Sequence, residues 1–211
     1  IPWDVILIIM SAIAAICALQ LAGGLDYLVR IAENILRKNP KHINYLAPTV
    51  TYFLTLLAGT GHTAFSMIPV IVEVAKSENI KPSVPLSIAV VASQIAITAS
   101  PVSAAVVAMS GFLEPYGVNY PTLLAICIST TFVAVMITAF IMSTFANNDL
   151  SSDPVYQERL AAGHVVPPRE KSADFHLKPG AKTSVLIFLI GIICIVFYAT
   201  AISKNIGIIK P

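Results

Sequence analysis

Two stretches without a single Lys, Arg, Asp or Glu, residues 43–72 and 82–113, are each broken in the middle by polar residues. The first break is Gly59-Thr60-Gly61-His62-Thr63-Ala64-Phe65-Ser66. The second runs from Ser93 to Ser103 through Gln94, Thr98, Ser100 and Pro101. Stretches this apolar belong in lipid, which offers a backbone or hydroxyl group no hydrogen-bond partner. Two helix-breaking polar clusters at membrane depth predict a built cavity, where a small ion or anion is held between the ends of discontinuous helices.

The rest of the chain agrees. Of 211 residues, 56% are hydrophobic and 11% charged, against about a quarter charged in soluble domains. The expected class is an all-α polytopic membrane protein. A net charge of +2 gives no electrostatic case for nucleic acid. Cys17, Cys127 and Cys194 fall inside apolar runs with no metal-ligand spacing, and read as space-filling thiols. His164 and His176 stand twelve apart without companion ligands, so they read as surface histidines. No metal and no cofactor is expected. The chain starts at Ile1 rather than Met and stops at Pro211, so it is expected to be part of a longer protein whose other half completes the transporter.

Five stretches are expected to enter the membrane. Val5–Ala22 is long enough to cross about 30 Å of hydrocarbon. After Gly23-Gly24, an amphipathic interfacial helix is expected over 24–40. Residues 43–76 hold two apolar arms around the glycine break, each shorter than the roughly 20 residues of a comfortable span. That shortness predicts a re-entrant helical hairpin. Residues 84–113 form a broken helix, and Tyr120–Phe145 a full span that closes a core domain of residues 1–146. A hydrophilic loop then covers 147–180, and a last membrane helix 181–203.

Basic residues orient this arrangement. If the hairpin returns to its starting side, only Lys204 and Lys210 of the thirteen lysines and arginines fall away from one face. The positive-inside rule makes that face cytoplasmic.

Each break carries chemistry. Gly59 and Gly61 permit a tight turn, and Thr60 or Thr63 is expected to cap a helix beginning near Ala64. The amides and dipole of that helix start suit a carboxylate. His62 adds a donor or proton acceptor, though a hydrogen-bonded packing role fits it equally well. Ser66 can bond back to its own helix. In the second break, serine before proline is a helix-start signature. The chain is therefore expected to unwind over Ile95–Ser100 and to start a second half-helix at Pro101, with Ser93, Gln94, Thr98, Ser100 and Ser103 lining the gap. A simple proline kink is the alternative. Ala92, Ala96, Ala99, Ala104 and Ala105 read as packing positions.

The stretches Leu57–Ser66 and Ser87–Pro101, with Gln20–Leu28 and Asp153–Leu160, closely resemble the Dcu family, the anaerobic dicarboxylate carriers of bacterial inner membranes. The likeness runs from Ile1 to about Val166 and loosens beyond it. It implies transport of fumarate, succinate, malate and aspartate, typically as fumarate/succinate antiport in anaerobic respiration, by a multi-pass inner-membrane protein of about twice this length. It also implies a distant kinship with the ion transporter superfamily, in which a hairpin tip faces an unwound helix in each half of an inverted repeat. By that likeness Thr60, Gly61, His62 and Thr63 match the tip, and Thr98, Ala99, Ser100 and Pro101 the unwound helix. The Ser-Asn-Thr tip of dicarboxylate–sodium relatives reads Gly61-His62-Thr63 here, so a sodium site does not carry over.

The expected substrate-binding set is thus Thr60, Gly61, His62, Thr63, Ser66, Ser93, Gln94, Thr98, Ser100, Pro101 and Ser103. The expected partners are C4-dicarboxylates, the lipid bilayer and the remaining half of the chain, with a homo-oligomer left open. A cation/proton antiporter using His62 is the rival, weakened because no acidic residue lies at depth. An intramembrane hydrolase using Ser66 or Ser100 with His62 lacks a Gly-x-Ser-x-Gly elbow.

Overall fold

Helix boundaries in this protein follow its glycines, its prolines and the ends of its apolar runs. The computed structural model describes residues 3–146, 149–165 and 178–205, and all regular structure among them is helical. The principal helices are α1 (Trp3–Leu21), α2 (Gly24–Lys38), α3 (Ile43–Ala58), α4 (Thr63–Ser77), α5 (Ser83–Ala96), α6 (Ala104–Leu113), α7 (Tyr120–Phe145), α8 (Pro154–Ala161) and α9 (Ala181–Asn205). Short 3-10 turns occupy Pro40–His42, Ile97–Ala99 and Glu114–Tyr116. Of the hydrophilic loop expected over 147–180, residues 147–148 and 166–177, His176 among them, lie outside the described residues.

Helix α7 alone is long and apolar enough to cross a membrane among the described residues. That number rises to three if two bent pairs each count as one span. One pair joins Ile13–Leu21 to Gly24–Lys38 at 71°, and the other joins Ser83–Ala99 to Ala104–Tyr116 at 40°. The first bend turns on Gly23, whose φ of +78° is a left-handed conformation that glycine adopts without a Cβ penalty.

Beyond that bend α2 buries Leu25, Ala32 and Leu36 and leaves Arg30 and Lys38 exposed, as its amphipathic pattern predicts. Near its C-terminal end Arg37 bonds Glu33, one turn back, and Glu73 of α4, at 2.8 and 2.9 Å. The second pair ties the end of α4 to the end of α2.

The core lies where α3, α4 and α5 meet. Ile43, Ala47, Leu54, Met67, Ile71, Val74 and Ala89 form one buried cluster that includes Ala32 and Leu36 of α2. On the other side of α3, Tyr52 packs with Ala92, Ala96, Ala99 and Val135. The α5 alanines let α3 and α7 come close, which is how helices associate where no hydrophobic effect separates them from lipid. Ala92, Ala96 and Ala99 are fully buried, whereas Ala104 is half-buried and Ala105 exposed. Tyr52 also stacks at an angle against Phe132, 5.4 Å between centroids, and its hydroxyl meets Thr131 of α7 at 2.8 Å.

Candidate functional site

The two polar breaks meet. Helix α3 ends at Gly59, which stands at φ +67° and donates its N–H to the Thr55 carbonyl at 2.8 Å. A Cβ on Gly59 would lie 2.7 Å from a methyl of Val102, and one on Gly61 would lie 2.6 Å from the Gln94 amide. Gly59 is thus needed both for its backbone angle and for close approach to Val102, whereas at Gly61 the exposed Gln94 side chain could yield.

Buried hydroxyls sew this contact together. Thr55 Oγ1 lies 2.5 Å from Thr63 Oγ1 and 2.9 Å from Ser93 Oγ. Thr63 also donates to the Thr60 carbonyl and Ser93 to the Gly61 carbonyl, both at 3.3 Å. Thr55, Thr63 and Ser93 are wholly buried. One turn before Thr55, the Thr51 hydroxyl is buried with no hydrogen-bond partner among the described residues. Ser100 donates to the Leu56 carbonyl at 2.6 Å, satisfying an acceptor near the end of α3, and accepts from the Val102 amide at 3.3 Å. Tyr120 of α7 donates to the Pro101 carbonyl at 2.5 Å.

Two sequence expectations are corrected here. The second half-helix does not begin at Pro101. The helical path persists through Ile97–Ala99, the backbone is extended at Ser100 and Ser103, and α6 starts at Ala104. The reason is Ser100 itself, whose hydroxyl bridges Leu56 and Val102 and so holds Pro101-Val102 as a turn. Nor does Thr60 or Thr63 cap α4 by its side chain. His62 occupies the cap position, and no side-chain cap bond forms there. The Thr63 hydroxyl turns back toward Thr55 instead, while Thr60 accepts from the His62 amide at 3.4 Å, within the turn.

The expected set therefore divides. Thr63, Ser93, Ser100, Pro101 and Ser103 are buried, and the first three hold backbone or one another. His62, Ser66, Gln94 and Thr98 are exposed, with Thr60 and Gly61 half-buried between the groups. Of the exposed four, Thr98 donates to the Ile95 carbonyl at 2.7 Å. The His62 ring lies 6.0 Å from that of Phe65. Thr55, the hub, was not expected. Its signal is a threonine pair, Thr51 and Thr55, on one helical face just before a glycine break. No His/Cys/Asp/Glu group suited to a metal occurs among the described residues.

Neutral hydroxyls, backbone carbonyls and exposed amide and imidazole groups are thus gathered where the two breaks touch. Residues 1–210 match the family model described as anaerobic C4-dicarboxylate membrane transporter. The chain belongs to that family. It is 70% identical over its whole length to "C4-dicarboxylate transporter DcuA" of Wolinella succinogenes, covering 48% of that protein. It is 52% identical to the protein of the same name in Escherichia coli K12, again over 48% of it. Against "Anaerobic C4-dicarboxylate transporter DcuB" of another Escherichia coli strain it is 40% identical over 76% of the chain and 37% of the relative. The chain thus spans about half the length of the DcuA relatives it matches. No solved structure matches it.

Proposed function

We propose that the whole protein, of which this chain is about half, carries C4-dicarboxylates across a bacterial inner membrane by alternating access, exchanging fumarate for succinate. The names of its relatives support the substrate class. The observation that carries the reading is the seating of the Gly59–Thr63 tip on the α5–α6 break, with His62, Ser66, Gln94 and Thr98 left exposed around a buried hydroxyl core.

In this reading α3 and α4 form a re-entrant hairpin, and the chain is one half of an inverted repeat. Thr63, Ser93, Ser100 and Ser103 fix the backbone at the break with Thr55, so that Pro101 and Gly61 hold their turns. Thr60, His62, Ser66 and Gln94 present donors to the two carboxylates, and Thr98, whose hydroxyl donates to the Ile95 carbonyl, lines the gap beside them. Substrates of equal charge and similar shape share one site, and their exchange moves no net charge. The faces rich in basic residues, 30–41 and 73–81, lie on the cytoplasmic side.

Counterflow in proteoliposomes of the full-length protein tests this. Labelled fumarate enters against internal succinate, and His62→Ala or Gln94→Leu lowers the exchange about 10–150-fold at normal abundance, since one lost charge-assisted hydrogen bond is worth about 1.5–3 kcal/mol. Unaltered exchange in both variants removes the exposed set from the site. A sodium-driven pH change without dicarboxylate exchange would replace the reading with cation/proton antiport.

A further inference from the structure

A second region of the molecule, outside the two breaks, gathers positive charge around a cavity. Residues 149–165 fold back onto the turn between α4 and α5. Asn79, at φ +58°, gives its carbonyl to the Leu150 amide at 3.0 Å, and its side-chain amide donates to Asp149 and Ser151 at 2.8 and 3.0 Å. Lys81 pairs with Asp153. Asp153 in turn caps α8, accepting from the Val155 and Tyr156 amides at 2.9 and 3.2 Å. Gly163 closes the other end at φ +70°, with its own amide on the Leu160 carbonyl and the His164 amide on the Arg159 carbonyl. That pair of bonds is the Schellman arrangement, which needs a left-handed residue at this point.

With both ends fixed, α8 holds Tyr156 and Arg159, three residues apart and so on one face, over a cavity of about 460 Å³. Lys76 from the end of α4, Lys81 just before α5, Ser83 at its start, and Asp153 and His164 complete the polar part of its wall. Cavities of about 300–1,000 Å³ suit small molecules. Asp153 neutralises Lys81, but no ion pair engages Lys76 or Arg159 among the described residues. Two full cations therefore face one cavity, with a phenol, a serine hydroxyl and an imidazole beside them.

We propose that this cavity is a binding site for a small dianionic oxyanion, separate from the proposed translocation site. Lys76 and Arg159 match its two charges. Arg159 offers a planar fork suited to carboxylate or phosphate, and Ser83 and Tyr156 donate to the remaining oxygens. An anion bridging Lys76 and Arg159 cross-links α4 to α8, so that occupancy tightens the 149–165 segment on the α4–α5 turn. A free dicarboxylate, free phosphate and a lipid headgroup share this chemistry.

Hydrogen exchange of the full-length protein in nanodiscs of neutral lipid separates these sources. Three probes are added separately at matched ionic strength: inorganic phosphate, succinate, and phosphatidic acid, whose phosphomonoester can carry two charges, incorporated in the disc. The expected result is slower amide exchange over 149–165 with at least one probe. It is abolished in Lys76→Gln/Arg159→Gln, while exchange over 59–66 and 93–103 is the same in that variant as in the parent. Slowing by phosphatidic acid alone assigns the oxyanion to a headgroup. Slowing by a soluble probe assigns it to a free anion. No slowing with any probe, or slowing that survives the double substitution, overturns the proposal.

Discussion

The hydroxyl knot around Thr55 and the clamp around Asn79 perform one task, joining segments distant in sequence, with opposite chemistry. The knot links α3, α4 and α5 through Thr55, Thr63, Ser93 and Ser100, all neutral and all buried. The clamp links the α4–α5 turn to residues 149–153 with an amide, a carboxylate and an ion pair, mostly exposed. Burial decides which chemistry each region uses. A charge taken from water into a low-dielectric interior costs more than its partner returns, whereas a hydroxyl needs only one or two neighbours to be satisfied. On the wet face charges are cheap to hold, and correspondingly weak.

The knot should therefore be fragile to single changes and the clamp tolerant of them. The largest loss is expected from Gly59→Ala. Its left-handed backbone costs about 1–2 kcal/mol for a residue with a Cβ, and crowding of Val102 adds about 1–3 kcal/mol. The thermal midpoint of the purified full-length protein should fall accordingly. Next comes Thr55→Val, which leaves Thr63 and Ser93 with only their 3.3 Å contacts and should cost about 1–2 kcal/mol in the same melt. A midpoint unchanged in Thr55→Val would break the comparison, since the knot would then carry no stability.

Glu73→Gln is expected to cost under about 1 kcal/mol, because Glu73 is partly exposed and Arg37 keeps Glu33. Acid sharpens the contrast without mutation. Lys81 first, and then the α8 amides, hold the Asp153 carboxyl below the usual carboxylate range. Hydrogen bonds from Ser151 do the same, first among causes, for Asp149. A carboxylate whose folded pKa is depressed stabilises the fold above its unfolded pKa of about 3.9, and that contribution is lost as pH falls through the folded value. Protection factors over 149–165, taken against the intrinsic exchange rate at each pH, should accordingly fall below about pH 4, while residues 55–63, lacking any carboxylate, keep theirs over the same range.

Much of this architecture is legible in the sequence. The apolar arms predicted around the glycine break end within a few residues of α3 and α4, because Gly59 and the charges after Val72 are local signals. The amphipathic α2 follows from its periodicity alone. The second break was legible in place but not in detail. Ser100-Pro101 reads as a helix start until Leu56, forty-four residues earlier, supplies the carbonyl that claims the serine. Thr55 was missed for the same reason, since its pairing with Thr51 marks a helix face but not a partner. A threonine inside an apolar helix says nothing of partners eight and thirty-eight residues away. Local rules find where a helix stops, and tertiary partners decide what its side chains then do.

The oxygens around Thr55 carry one more consequence. Three hydroxyl hydrogens, on Thr55, Thr63 and Ser93, serve four oxygen-to-oxygen contacts. One contact must at any moment go without a hydrogen. Which one is settled by torsion about three C–O bonds, with no heavy atom displaced, so the tip can shift its attachment from one neighbour to another by rotation alone.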